Sequence, residues 1–384
     1  MSTSISLEEL KRLIRRIEFD KTDYELLCDL IEKAKELGAV EQKRLNRLSK
    51  TSSKLSKIFL DKHLILPLSP NPDDIEEAAS CSVWGVDGSC QILKGFGDSW
   101  FVFLSAARVH MRKGIYGDVV IRVGGEIKRI EVPEDREAGK IATELMMHME
   151  VKQIWNIGRE AAPSTSGKAY LVIDGPIVDP PWLASEDYVA KRVKAIEKCL
   201  AKGITVVGFV KRPYGHIFLS QLKEREEFKG NSSELIKDYR SDLSLLAPLM
   251  YAAMRRTDCK LMMTIPLRMP TSAGTVIPAH ETYEKHGLKV YYCYYKFGLR
   301  RNVYRLEIAE AGTKRISDER ELIDIFRNIA ITMAGLTPPG IEYPLPVLLA
   351  HDKCNIRKGA AETLYYEIIA RALARGMTAL WFRL

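Results

Sequence analysis

The 384-residue chain reads as an α/β protein built on a mixed sheet of five strands, and three observations predict it. Between residues 82 and 125, three apolar runs rich in β-branched and aromatic residues are joined by short glycine-bearing turns, which is the pattern of an antiparallel meander. From about residue 136 to residue 210, helical stretches alternate with apolar runs, which implies right-handed crossovers and parallel pairing. Twice an uninterrupted apolar run leads into Asp-Gly, in SVWGVDGS (82–89) and AYLVIDGP (169–176).

Residues 1–60 keep helical spacing, first through Leu7, Leu10, Ile14 and Ile17 and then through Leu26, Leu27, Leu30 and Ile31. Residues 43–62 continue as a basic helix or arm. NPDD at 71–74 punctuates the chain, and the α/β body starts near Cys81. Strand one is 82–87, ended by Asp-Gly-Ser. Strand two is WFVFLSAARVHM after the KGFGDS turn, and strand three is VVIRVGG after GIYGD. A helix runs from about Arg136 to Ile157, strand four is AYLVIDG, a helix covers 184–202, and strand five is ITVVGFV. This β-β-β-α-β-α-β order is that of the ribonuclease-H-like fold, in which strands one and four lie side by side. Beyond it come a helical region at 233–257, strands near 288–297 and 302–309, a helix at 318–334, and a proline-stiffened lead-in to a final helix. The expected division is an N-terminal helical, partly basic region (1–80) and one domain at 81–384, with its core at about 81–215 and an extension at 216–384.

Hydrophobic residues make up 46% and charged residues 28%, the balance of a globular protein, and no apolar run reaches the roughly 18–20 residues that span a bilayer. With a polar opening segment as well, a cytoplasmic protein with no membrane partner is expected. Seven scattered cysteines without a CxxC pair read as reduced thiols rather than a zinc site. The formal net charge of +8 favours a polyanionic partner. The excess is local. Lys43 to Lys62 holds seven Lys/Arg, including Lys50, Lys54 and Lys57, against Asp61 alone. Lys285 to Arg305 holds six, including Arg300 and Arg301, with no acid. Tyr291, Tyr292, Tyr294 and Tyr295 interleave with the second cluster. That pattern fits a base-stacking, phosphate-neutralising surface and equally a strand with core tyrosines on one side and a solvated face on the other. The chain lacks GxxxxGK[ST], HExxH, GxSxG and an EF-hand loop, which argues against a P-loop motor, a zinc protease, an α/β-hydrolase and a calcium sensor.

Asp87 and Asp174 are the candidate chemistry. Two carboxylates at neighbouring strand tips can hold a hard divalent cation of the magnesium or manganese kind, whereas a single Asp-Gly is more simply a turn. The intervening helix carries Glu144 and Glu150 among apolar residues, and a semi-buried carboxylate there needs a metal or a basic partner. Glu150, on a face with Met146, Met147 and Ile154, is the first choice, and Glu144 the alternative. His351, eight residues after Tyr343, is either a structural histidine or a metal ligand or proton shuttle. Lys211, just past strand five, either neutralises a phosphate or is simply solvated.

The motifs VDGS (86–89), the acid-bearing helix before VIDGP (172–176), VVGFVKR (206–212), SDLSLLAPL (241–249), VYRLEI (303–308) and YPLPVLLAH (343–351) resemble, in this order, the NurA nuclease family. The likeness spans about 81–360 and leaves the N-terminal arm outside. It implies metal-binding carboxylates at Asp87, at Glu150 or Glu144, and at Asp174, with the family's late tyrosine and histidine at Tyr343 and His351. It implies manganese- or magnesium-dependent cleavage of DNA, 5′-to-3′ on single and double strands and internally on single strands. It also implies a homodimer docked on a hexameric HerA-type ATPase translocase in DNA end resection. In a two-ion site Asp87 would bridge, Asp174 and the glutamate would complete the shells, His351 would ligate or protonate, and Tyr343 would position a phosphate. Two other readings are another ribonuclease-H-like nuclease and a catalytically silent DNA-binding or translocase-adaptor protein.

Overall fold

The computed structural model describes residues 24–162, 168–178, 185–213, 215–225, 236, 239–270, 278–298, 302–312 and 316–374. Arg300, Arg301, residues 1–23 and most of 226–238 lie outside them.

Helix α1 (Tyr24–Asp61) leads into β1 (Ile65–Leu68) and α2 (Pro72–Ser80). The NPDD punctuation is in fact a helix start. Asn71 Oδ1 accepts from the Asp74 N–H, Asp74 accepts from the Asn71 N–H, and Pro72 fills the first turn. Three long strands follow, β2 (Ser82–Lys94), β3 (Ser99–Ile115) and β4 (Val119–Glu131), paired antiparallel in turn. Helix α3 (Asp135–Glu160), β5 (Ala169–Asp174), α4 (Glu186–Leu200) and β6 (Ile204–Val210) complete the expected order. β2 pairs parallel with β5, and β5 parallel with β6, so strands one and four are neighbours.

The chain continues through α5 (Ile217–Glu224), α6 (Asp242–Thr257), β7 (Leu261–Thr264), β8 (Leu267–Arg268), α7 (Pro278–Lys285), β9 (Lys289–Phe297) and β10 (Tyr304–Glu310). Helices α8 (Glu319–Gly335), α9 (Leu345–Cys354) and α10 (Lys358–Ala374) close it. Among the described residues the sheet has ten strands rather than five, in the order β1-β7-β9-β10-β6-β5-β2-β3-β4, with β8 pairing β9. The additional strands attach because β6 would otherwise expose an unpaired ladder, which β10 satisfies antiparallel.

Both faces of the central sheet are covered. Phe59 of α1, Ile154 of α3, Val193 of α4 and Leu249 of α6 pack with Leu171 and Val206 on one face. Phe326 and Ile329 of α8 and Val347 of α9 pack with Val172, Val207 and Tyr295 on the other. This placement overturns both readings of the tyrosine run. Tyr292, Tyr294 and Tyr295 are buried, Tyr291 is half-buried and even Lys296 is only 1% exposed, because β9 lies inside the sheet with helices on each side. Among the described residues of β9, neither a base-stacking surface nor a solvated face is present. Among the described residues no helix is long and apolar enough to cross a membrane.

Candidate metal centre

The site forms where the parallel ladder between β2 and β5 runs out, its last pair being Val86 with Ile173. β2 does not stop at Asp-Gly. It continues to Lys94 because its other partner, β3, stays paired across all of those residues. Asp87 is therefore mid-strand, not at a strand end, but it borders the edge that β5 leaves when the chain turns away at Gly175, whose φ of +118° suits glycine. Asp174, the last residue of β5, sits beside that edge.

Buried charges hold the turn after Asp174. The Ile177 N–H donates to Glu307 Oε2 at 2.7 Å, and Arg192 donates to the Ile177 and Pro176 carbonyls at 3.0 Å each. Glu307 is itself paired with Arg305 at 2.8 Å. Gly208 keeps room beneath, since a Cβ there would lie 2.9 Å from the Ile177 nitrogen and 3.0 Å from the Gly175 oxygen. Arg305 and Glu307 fall within the VYRLEI motif, but nothing in the sequence pattern marks them or Arg192 as supports of this turn, because Glu307 and Arg192 meet main-chain groups of a separate segment.

The third contributor arrives on α9. A Cβ on Gly85 would stand 2.4 Å from the carbonyl carbon and oxygen of Pro346, so the first turn of α9 rests directly on the β2 backbone. That seating carries His351 to Asp87, and its Nδ1 lies 2.7 Å from Asp87 Oδ2, a hydrogen-bond distance. The His351 ring stacks on Tyr343, with centroids 5.8 Å apart. Lys211 Nζ lies 3.8 Å from the centroid of the Tyr343 ring, a cation–π contact, and donates to Asp174 Oδ2 at 2.8 Å. Asp87, His351, Tyr343, Lys211 and Asp174 thus form a connected arc drawn from β2, α9, the loop before α9, and the strand ends of β6 and β5.

One donor atom from each of Asp87, Asp174 and His351 lies within 4.8 Å of the others. The set fits a hard or borderline divalent ion such as manganese or magnesium, with carboxylate oxygens and one imidazole nitrogen. The electrostatics agree. Burial, and then the neighbouring Asp174 charge, push the Asp87 carboxyl above its ordinary range, against the pull of His351 and the Gly88 N–H. Burial opposes the charge on Lys211, yet Asp174 and Tyr343 hold its amine above the usual value.

Glu150 is buried, and a Cβ on Gly88 would lie 2.7 Å from its Oε1. It therefore touches the residue after Asp87 from the α3 side, outside the three-residue cluster. Glu144 is half-buried and acts on His148 instead. Sequence reasoning missed Cys354, whose Sγ is 3.8 Å from Asp87 Oδ2; nothing distinguished it from six other thiols. Burial, and then the Asp87 and Glu150 carboxylates, push that thiol well up. Lys50, Lys54 and Lys57 lie exposed along α1, which packs on α6 beside β1, several strands from Asp87 in the sheet.

The profile of the NurA domain matches residues 81–356. No curated protein sequence matches the chain. The crystal structure of the NurA nuclease from Sulfolobus solfataricus superposes with a TM-score of 0.58 at 15% identity, covering 93% of this chain and 99% of that one. A NurA crystal structure bound to dAMP and manganese aligns at 14% identity with a TM-score of 0.39, covering 92% and 98%. A further NurA crystal structure aligns at 14% identity with a TM-score of 0.44, covering 86% and 96%. The Sulfolobus likeness carries the fold, and the domain match, spanning most of the chain, carries the kinship: this chain belongs to the NurA domain family, a family of nucleases.

Proposed function

We propose that this chain is a DNA phosphodiesterase that works with manganese or magnesium ions, two in number, held by Asp87, Asp174 and His351, with Glu150 as a further carboxylate. It acts 5′-to-3′ on single- and double-stranded ends and internally on single strands, as a homodimer fed by a hexameric HerA-type ATPase during end resection. The observation that carries the metal site is the convergence of three ligand side chains, from segments far apart in sequence, within 4.8 Å. They gather where the parallel pairing of β2 with β5 runs out, at the carboxyl end of β5. Family membership supports DNA cleavage, while polarity, dimer and translocase rest on the resemblance of the motifs alone.

A bound divalent ion supplies Lewis acidity toward a phosphoryl oxygen and a more acidic water. The chain supplies the rest. Asp87 and Asp174 concentrate two carboxylates beside one lysine, an imbalance that attracts a cation. With its Nδ1–H held by Asp87, His351 keeps Nε2 as the lone-pair nitrogen, able to bind a cation or take a proton. Lys211 offers a point charge to the phosphodiester, and the Tyr343 ring fixes where both Lys211 and His351 stand.

The test is cleavage of end-labelled DNA with manganese or with EDTA, using substrates blocked at the 5′ or the 3′ end. Manganese-dependent cutting that a 5′ block stops on duplex ends, but not within single strands, supports the reading. Persistent DNA binding without cutting in manganese would leave a silent DNA-binding or adaptor protein.

A further inference from the structure

A cavity of about 340 Å³ opens at the C-terminal end of α3, lined by Trp84, Arg108, His110, Arg112, Arg122 and Glu160 together with apolar residues. Strand alternation puts these groups together. His110 pairs with Trp84, and Arg108 pairs with both Val86 and Arg122, so their side chains share the sheet face that α3 covers. Asp87 points to the other face, three residues or roughly 10 Å further along β2. A ligand in this cavity is therefore separate from the metal centre.

The cavity is electrostatically unfinished. Arg108 is 7% exposed; its Nη2 donates to Glu160 at 2.6 Å, but its buried Nη1 has no acceptor among the described residues. Arg122 lies directly across the ladder from Arg108, and like charges in that position repel. Arg112 adds a third guanidinium on the same face. Glu160, the one acid among the described lining residues, is shared with Arg159 outside. His110 contributes no charge, since burial, and then Arg112, lower its pKa to about 4. Its ring instead stacks on Trp84 at 3.5 Å between centroids, with Ser82 Oγ 2.9 Å from Nε2. Three guanidiniums, one with a buried unsatisfied donor, call for an anion with several oxygens, and guanidinium forks match phosphate in geometry. The volume lies at the small end of ligand pockets, suited to a phosphate group with at most a nucleoside attached.

We infer that this cavity is a second, metal-independent site for a phosphate mono- or diester, held by Arg108, Arg112 and Arg122 against the Trp84–His110 wall. That a nucleic-acid strand supplies the phosphate rests on the function proposed above; free phosphate or a mononucleotide shares the same chemistry. The test titrates the full chain, in EDTA so that nothing is cut, with orthophosphate, with dAMP and with a short single-stranded oligonucleotide, by calorimetry. Arg112→Gln/Arg122→Gln changes two exposed side chains and leaves the buried one in place. The double variant is expected to bind at least tenfold more weakly, and Gly139→Ala, outside both sites, as tightly as the wild type. Loss with the oligonucleotide alone assigns the phosphate to a DNA strand, and loss with orthophosphate or dAMP assigns it to a free ligand. Equal affinities of wild type and double variant for all three ligands, or no binding of any by the wild type, overturn the inference. Wild-type cutting by Asp87→Asn would sink the metal reading and leave this one standing.

Discussion

Gly85→Ala tests whether α9 positions the site. The new methyl would begin 2.4 Å from the carbonyl carbon and oxygen of Pro346 and 2.8 Å from the Val347 nitrogen. Those are backbone atoms, which cannot rotate aside as a side-chain tip can. To reach ordinary contact at 3.4 Å, α9 must retreat by about 1 Å. Overpacking of this kind costs about 1–3 kcal/mol. At ~2.1 cal/mol/K per residue, 384 residues give an unfolding entropy near 0.8 kcal/mol/K, so Tm drops by only ~1–4 °C. Activity is far more sensitive. His351 rides the same short helix, and a 1 Å retreat stretches its 2.7 Å bond to Asp87 beyond hydrogen-bonding range. Misplacement on that scale costs on the order of a hundredfold in rate. The assay pairs scanning calorimetry with manganese-dependent cleavage of a labelled single strand. Gly139→Ala, in α3 with nothing within 4 Å of the added atom, is the control, expected to raise stability by about 0.5–1 kcal/mol. A folded Gly85→Ala that cuts at the wild-type rate would refute the idea that α9 seating sets the geometry of His351.

Asp87→Asn and Asp174→Asn are each expected to slow cleavage about a thousandfold or more with Tm unchanged or raised, since each relieves two crowded carboxylates; this is checked with the same two assays. Lys211→Met removes the cation bonded to Asp174, so half-maximal rate should come at several-fold lower manganese while the maximal rate falls; an unshifted manganese requirement would contradict that competition. Lys50→Gln/Lys54→Gln/Lys57→Gln should weaken duplex binding and flatten the slope of log K against log salt by up to ~0.9 for each phosphate no longer neutralised, and an unchanged slope would mean that α1 touches something other than DNA. His280 is buried, and desolvation, with Arg305 second, lowers its pKa to about 3. Below pH 6.5 the unfolded chain takes up a proton that the folded chain refuses, so stability is full above 6.5 and falls through the window down to 3. By pH 4.5 the loss is on the order of 2–3 kcal/mol, and urea midpoints at the two pH values should converge in His280→Gln.

What the sequence made legible follows from the range of the signals. The β2-to-β6 order and the adjacency of Asp87 and Asp174 came from local periodicity and the handedness of crossovers, both written in short windows. Strand ends were less readable. Asp-Gly stops β5 but not β2, because termination depends on whether the partner strand stays paired, and that partner, β3, lies beyond a turn. The tyrosines of β9 deceived for the same reason: alternation of aromatic and charged residues looks alike on an edge strand and on one covered on both faces. Asn71 was legible as a break but hid a capping box, whose reciprocal bonds need the helix that follows. Arg192 and Cys354 carried no signal at all and Glu307 only its place in VYRLEI, since each meets the site through a contact with another segment of the chain.

The arrangement also explains why the acids need so much scaffolding. Two carboxylates this close repel, and burial makes Asp87 more costly to ionise. Without a rigid frame they would swing apart or take up a proton, and either change would erase a cation site. The fold removes the first escape through backbone rather than side-chain contacts: β2 is pinned by α9 at Gly85, and the turn after β5 by Glu307 and Arg192. It limits the second by giving each acid one positive or hydrogen-donating partner, His351 for Asp87 and Lys211 for Asp174, joined through Tyr343. Those partners compensate part of the charge and leave the rest for a divalent ion. Full compensation would bury the site in neutral pairs, and none would unfold it; the arc from Asp87 to Asp174 holds the charge between those limits.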